Sequence, residues 1–472
     1  MNYGIGGVLA RYSQSSGQTI KMKTSITEHR TIAPTADQYQ TLVRAERFLK
    51  SETEDFMIIQ GAAGTGKSTI TRAITDYLKQ EAVPCFAAAP TGRAAKIIQS
   101  KTGVPARTVH SLIYNTERSG NGRGIKLVRK TNSATRKSVY IIDEASMISD
   151  RLSASERFIS SQPLLTDLIA FVKQGNAKNK LILIGDHYQL PPVTEKCTPA
   201  LDLEYLRKVH RLSGSIRELK EVVRHQAGSY ILGNATRLRH AIQRSEHAPV
   251  IQYCQLGSST GALRQFGALY DPMSASKVVV IAWRNHDVNV FNQMLRELLG
   301  YADEVISAGD QMILHTNWFY NRQMLLKGES VFVTGCESDT EIFAGLRFKN
   351  ISIRFTNTAG EQVETTAKVL VDSLLSADGN LTPDQENALV HESIKRNKKY
   401  RDSLHPEDDA YVGALRLRYG YAMTCHRAQG GEWEHVILHP WFNRDDLKWQ
   451  YTAITRASKE LYTYQLQSTF KR

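Results

Sequence analysis

The stretch "IIQGAAGTGKSTITRAI", residues 58–74, decides the fold. Gly61, Gly64, Gly66, Lys67 and Ser68 satisfy the spacing G-x-x-x-x-G-K-[ST] of a phosphate-binding loop. The apolar run Phe56 to Ile59 before it reads as a strand. After it, Ile70, Ile74 and Leu78 recur on one helical face. A strand–loop–helix unit turns backbone N–H groups and a helix N-terminus toward phosphates. The loop Gly61, Ala62, Ala63, Gly64, Thr65, Gly66, Lys67, Ser68 and Thr69 is therefore the candidate nucleotide cradle. Lys67 is placed to reach the β- and γ-phosphates, and Ser68 to ligate Mg2+. What the bound nucleotide drives is left to the rest of the chain.

Strand and helix patterns alternate from residue 56 onward, which predicts a parallel α/β sheet. "SVYIIDEASM" (138–147) is an apolar strand ending in paired acids. Behind a phosphate loop, Asp143 fits a Mg2+ holder, through water or by way of Ser68, and Glu144 a polariser of attacking water. "KLILIGDHYQLPPV" (180–193) is a further strand whose glycine and double proline fix a rigid exit. Its Gln189 is held where an amide can sense a γ-phosphate or orient water. A second α/β layer without a second phosphate loop follows in "KVVVIAW", "VFNQMLRELL" and "EHVILHP". Between about 305 and 410 the alternation breaks into short strand patterns such as "GDQMILHTNW" and "ISIRFTN", a β-rich insertion.

The 472 residues suffice for two to four domains, and the formal charge of +13 favours polyanionic partners. Residues 108–138 concentrate Arg118, Arg123, Lys126, Arg129, Lys130, Arg136 and Lys137, and Gly120–Asn121–Gly122 can close a hairpin there. The five cysteines, with no C-x-x-C pair, suit a reducing, cytoplasmic setting and disfavour zinc or a disulfide framework. No apolar run approaches the ~18 residues of a membrane span. No unclaimed carboxylate cluster suggests a nuclease.

The motifs then form a familiar series. "GAAGTGKST", "APTGRAAK", "TVHSL", "IIDEASM" and "GDHYQLPPV" resemble, in order, motifs I, Ia, Ib, II and III of superfamily 1B DNA helicases, most closely the Dda and RecD-like group. "LKEVVRHQAGSYILGNATRLR" resembles motif IV, "YAMTCHRAQGGEWEHVIL" motif V and "QYTAITRASKELY" motif VI. "PTADQYQ" resembles the Q motif. The likeness runs from about residue 34 to 472.

It implies two RecA-like P-loop domains with a small inserted SH3-like module. The expected divisions are an N-terminal extension to 33, domain 1A over 34–200 with a 1B hairpin at about 111–138, domain 2A over 201–304 and 412–472, and domain 2B over 305–411. It also implies that Arg224 and Arg456 face ATP from the second domain, that Gln38 reads adenine, and that Gly430 and Glu432 touch the nucleotide. Pro90, Thr91, His110, Thr424 and His426 are the implied nucleic-acid contacts, with Trp283 and Tyr114 as candidate base stackers. The expectation is a monomeric motor that binds ATP and Mg2+ and moves 5′ to 3′ on single-stranded DNA or on forked and tailed duplexes. An RNA-directed helicase and a P-loop switch that does no work on nucleic acid are the alternatives.

Overall fold

The computed structural model describes residues 25–26, 34–118, 125–152, 158–193, 195–223, 230–272, 274, 277–321, 323–325, 327–357, 361–376 and 379–465. In chain order the first half supplies β1 (Phe56–Gly61), β2 (Cys85–Ala89), β3 (Ala106–Thr108), β4 (Tyr114–Arg118), β5 (Ile125–Arg129), β6 (Val139–Ile142), β7 (Phe158–Ser160), β8 (Lys180–Gly185) and β9 (Gly214–Leu219). Six of these form one parallel sheet in the order β3-β2-β6-β8-β1-β9.

Its central strands are near-continuous apolar runs because helices cover both faces. Met57, Ile59, Ile141 and Ile182 pack with Leu42, Phe48, Ile70 and Ile74 on one side. Ile58, Ile142 and Leu183 pack with Val109, Leu165, Leu168 and Val172 on the other. A Thr35–Gln38 capping box starts the helix Ala36–Lys50, and Thr91 caps the helix Gly92–Thr102.

The first sheet extends past residue 200, where the expected boundary fell. β9 pairs with β1 in parallel from Phe56↔Gly214 to Gly61↔Leu219. As an edge strand it reads "GSIREL", mixed in polarity, and so lacks the apolar run that marks an interior strand.

β4 and β5 form the expected antiparallel hairpin, with β7 beside β5 as a third strand. Its Gly120–Asn121–Gly122 tip, and Arg123, lie outside the described residues. The basic block is partly committed inside the protein. Arg129 Nη1 donates to Asp167 Oδ1 at 3.0 Å, and Lys130 Nζ to the Ser111 carbonyl at 2.7 Å. Lys137 Nζ donates to the Leu49 carbonyl. These contacts point those charges into the first domain.

The second half opens with β10 (Cys254–Gln255) and β11 (Val278–Ala282). It is then interrupted by β12 (Gln311–Leu314), β13 (Trp318–Tyr320), β14 (Gln323–Leu325), β15 (Ser330–Cys336), β16 (Glu341–Phe343), β17 (Leu346–Thr356), β18 (Gln362–Leu370) and β19 (Leu417–Tyr419). It closes with β20 (Ala422–Thr424), β21 (Trp433–Leu438) and β22 (Ala457–Thr463). The outer strands make a second parallel sheet, β10-β22-β21-β11-β20. The interruption is an antiparallel sheet, β16-β17-β15-β12-β19, with β18 on β17. It reclaims β19 from beyond residue 411, because Met312–Leu314 pair with Leu417–Tyr419. The three-residue length of β19 explains why no strand pattern announced it.

A buried ion pair joins the inserted sheet to the second parallel sheet. Arg296, on the helix Asn285–Leu298, grips Asp310 with two hydrogen bonds of 2.9 and 3.0 Å. Asp310 also accepts from the Tyr421 hydroxyl at 2.7 Å and from the Ser307 N–H at 2.8 Å, and it is fully buried. Removing one partner strands a desolvated charge. Asp310→Ala is therefore expected to cost about 3–5 kcal/mol in a denaturant-unfolding midpoint at unchanged slope. A loss below about 1 kcal/mol would mean that water reaches the pair.

Candidate nucleotide site and nucleic-acid face

A cleft of about 630 Å³ lies between the two parallel units. Lys67, Asp143, Glu144 and Gln189 line it from the first; Gly430, Glu432 and Arg456 line it from the second. The phosphate loop leaves β1 and enters the helix Lys67–Gln80 through Gly66, at φ 85°. A Cβ at Gly66 would lie 2.2 Å from Gln38 Nε2, so both conformation and space require glycine. Lys67 Nζ donates to the carbonyls of Gly61 (2.6 Å) and Ala62 (3.0 Å), which folds the ammonium over the loop.

Gln38 is buried and uses both ends of its amide. Oε1 accepts from Thr35 N–H, and Nε2 donates to the Thr65 carbonyl, each at 3.1 Å. It straps the helix Ala36–Lys50 to the loop. Reading adenine would require exchanging one of these bonds. Lys101 was not foreseen. From the last turn of the helix Gly92–Thr102 its Nζ donates to Ser68 Oγ at 3.3 Å.

β6 ends at the two acids. Asp143 Oδ1 accepts the Glu144 N–H at 2.9 Å, and Glu144 sits at φ 51°, a left-handed conformation that costs a non-glycine residue about 1–2 kcal/mol. The turn aims the carboxylate into the cleft. Glu144 Oε2 and Gln189 Oε1 are shut off from solvent, with no hydrogen-bond partner among the described residues. Unmatched acceptors in a polar cleft are what the O–H groups of a water molecule would satisfy. The oxygen-only pair Ser68 and Asp143 suits a hard cation such as Mg2+. Burial raises the pKa of both acids. The neighbouring Asp143 charge raises that of Glu144 further, against the opposing pull of Arg456 and Lys67.

Arg456 is buried, and its guanidinium is fixed by neighbours on its own side. Nε donates to the Thr452 carbonyl (3.0 Å), Nη1 to the Gly431 carbonyl (3.0 Å) and Nη2 to Thr455 Oγ1 (3.2 Å). Arg224 lies outside the described residues; Val223 before it donates its N–H to the Gly64 carbonyl and lines the cleft.

Sequence reasoning missed the contact that joins the two walls. The buried Tyr451 hydroxyl accepts the Ala63 N–H at 3.0 Å and donates to Asp186 Oδ2 at 2.8 Å. Beside it, the Leu190 N–H donates to Thr452 Oγ1 (2.8 Å), and Gln429 Nε2 donates to the Leu190 carbonyl (2.9 Å). Tyr451 stands within "QYTAITRA", but its spacing reads equally well as core.

The implied nucleic-acid residues occupy the adjoining face. Gly430, at φ 72°, packs so closely that a Cβ there would lie 3.1 Å from Ala94 Cβ and 3.2 Å from Thr91 Oγ1. This brings the Thr91 loop beside the segment that follows Thr424. The side chains of His110 and His426 are exposed, and Pro90 and Thr424 are half-buried. Thr424 occupies the N-cap of Cys425–Ala428 without a side-chain cap bond. Tyr114 is a core residue, its hydroxyl on Asp167 Oδ2 at 2.7 Å. Trp283 packs on Trp449 with ring centroids 5.2 Å apart.

Two family models match, an AAA domain over residues 35–253 and a UvrD-like helicase C-terminal domain over 419–464. The ATP-dependent RecD2 DNA helicase of Deinococcus radiodurans is 26% identical over 428 residues, 86% of this chain and 46% of that protein. The ATP-dependent DNA helicase dda of Enterobacteria phage T4 is 25% identical over 277 residues, 57% of this chain and 58% of its own length. The chain thus spans about half the length of these relatives. A crystal structure of Pif1 helicase from Bacteroides, in complex with ADP-AlF3 and ssDNA, superposes with a TM-score of 0.50 at 16% identity, covering 92% of each chain. The architecture is that of paired RecA-like domains. The motif series and these matches liken the chain to the superfamily 1B helicases.

Tyr451→Phe is expected to leave the fold intact while costing about 1–3 kcal/mol, since the Asp186 carboxylate and the Ala63 N–H each lose a buried partner. ATP turnover should fall more than ATP affinity. Unchanged turnover in a steady-state assay would make Tyr451 a packing residue only.

Proposed function

We propose that this chain is an ATP-dependent DNA helicase that moves along single strands from 5′ to 3′ and couples hydrolysis in the cleft to duplex unwinding. The observation that carries the reading is the division of the site between two walls. Lys67, Asp143 and Glu144 stand on one, and Arg456 on the other. A simple nucleotide switch has no need of the second wall.

In this reading the loop N–H groups and Lys67 bind the phosphates, and Ser68 and Asp143 hold Mg2+. The ion would supply charge neutralisation along the phosphate chain. Glu144 accepts a proton as water attacks the γ-phosphorus; the bond to the bridging oxygen breaks, leaving ADP and phosphate. Arg456, with Arg224 as its proposed partner, meets the charge that builds on the transferred group. Loss of the γ-phosphate removes what Arg456 holds across the cleft, so the two domains part, and the cycle of closing and opening is the stroke. Pro90, Thr91, His110, Thr424 and His426 are proposed to track the strand. The polarity and the preference for DNA follow from the family resemblance.

Glu144→Gln is expected to bind ATP with near-normal affinity and to lose turnover, because the amide cannot take the proton. Normal turnover would remove Glu144 from that role. Arg456→Ala should lower turnover by about 10³–10⁵ with a much smaller effect on ATP binding, as the arginine acts where charge peaks. The reading as a whole is tested on duplexes with a 5′ tail or a 3′ tail, and with matched RNA and DNA strands as ATPase activators. Unwinding of the 5′-tailed DNA duplex alone is the expected result. Activation by RNA only, or by neither strand, would transfer the chain to one of its alternatives.

A further inference from the structure

Three strands of the second parallel sheet end side by side. β11 and β20 run in register through Ala282↔Thr424, and β11 and β21 through Ile281↔Leu438. Ligands of parallel α/β sheets gather beyond such carboxyl ends. The residues delivered there are Trp283 and Arg284, then Thr424 to His426, then His439 to Trp441.

Trp441 stands apart from the other tryptophans. Trp318, Trp433 and Trp449 are buried and Trp283 is partly buried, whereas 43% of Trp441 is exposed. A single exposed apolar residue is ordinary; this one is held through its backbone and across its ring. Its backbone N–H donates to His439 Nδ1 at 3.2 Å, and desolvation lowers the pKa of the buried His439, which favours the neutral ring such a bond requires. The Arg284 guanidinium lies 3.9 Å from the ring centroid. Arg284 is itself fixed by two hydrogen bonds of 2.9 Å to Asp287. With its charge answered by that carboxylate, Arg284 acts as a flat backing for the indole. The next residue, Phe442, stacks on Trp449 at 4.9 Å, and Trp449 meets Trp283.

We propose that the Trp441–Arg284 pair, next to Thr424 and His426, is a stacking platform for an unpaired base of the tracked single strand. A pre-set aromatic face binds any base, because every base has a π-face, and so suits a protein that must move without regard to sequence. The platform reads bases where its neighbours read phosphates. It rests on the proposed single-strand motor and adds a base contact to it.

The test uses the full chain and unstructured oligothymidylate, with intrinsic tryptophan fluorescence and affinity as readouts. Binding should quench the emission of the unaltered chain. Trp441→Phe should keep most of the affinity and lose most of the quench. Trp441→Ala should bind about 5- to 100-fold more weakly, at an unchanged dependence on salt, because the ring carries no charge. A strand of abasic sugar-phosphate should bind both the Ala variant and the unaltered chain alike. Wild-type affinity in Trp441→Ala, or an undiminished quench in Trp441→Phe, would overturn the platform while leaving the motor reading intact. No binding of oligothymidylate by the unaltered chain would overturn the motor reading itself.

Discussion

The hydroxyl of Tyr451 is where the two walls of the nucleotide site are fastened together. It accepts the Ala63 N–H of the phosphate loop and donates its O–H to the buried Asp186. One helical step on, Thr452 receives the Leu190 N–H through its side chain and the Arg456 Nε–H through its carbonyl. The phosphate loop, the Asp186–Leu190 turn and Arg456 therefore share one hydrogen-bonded unit. A shift of the loop has to be absorbed across that unit, because buried polar groups left without partners are costly. This gives a proposed motor a short physical route from phosphate to the opposite domain.

The cleft is built from groups that the protein leaves partly unmatched. Glu144 is turned into a left-handed conformation, its Oε2 has no partner among the described residues, and burial beside Asp143 raises its pKa. Arg456 by contrast is fully positioned by carbonyls of its own domain. A rigid cation facing an under-satisfied acid is suited to stabilising charge that appears only during the reaction, since little reorganisation is needed at that moment. The inserted sheet reaches the same region. Lys96 Nζ, on the helix after Thr91, pairs with Glu329 at 2.6 Å, and Arg93 donates to Ser330 at 3.1 Å. Both tie the helix after Thr91, beside the proposed nucleic-acid contacts, to the module.

Much of this was legible in the sequence, because the chemistry resides in local motifs. The phosphate loop, Asp143, Glu144 and Gln189 each follow a strand whose apolar run is plain, and the structure brings them to one cleft with Arg456. What escaped depends on long-range approach. Tyr451 meets Ala63 across 388 positions, and Lys101 meets Ser68 across the groove between two helices. The domain edges slipped for a related reason: β9 and β19 are short or mixed in polarity and are strands only by virtue of their partners. Charge counting also overstated the basic hairpin, since Arg129 and Lys130 face acceptors of their own domain.

In the proposed motor, nucleotide and single strand act on one coupled unit. Coupling of this kind is reciprocal at equilibrium. The direct measurement is the affinity for a DNA single strand without nucleotide and with a transition-state mimic of ATP, and the affinity for that mimic with and without the strand. The account predicts that the two ratios differ from one and equal each other. Ratios of one in both directions would contradict it, leaving a nucleotide site and a nucleic-acid face that share a chain but do not communicate.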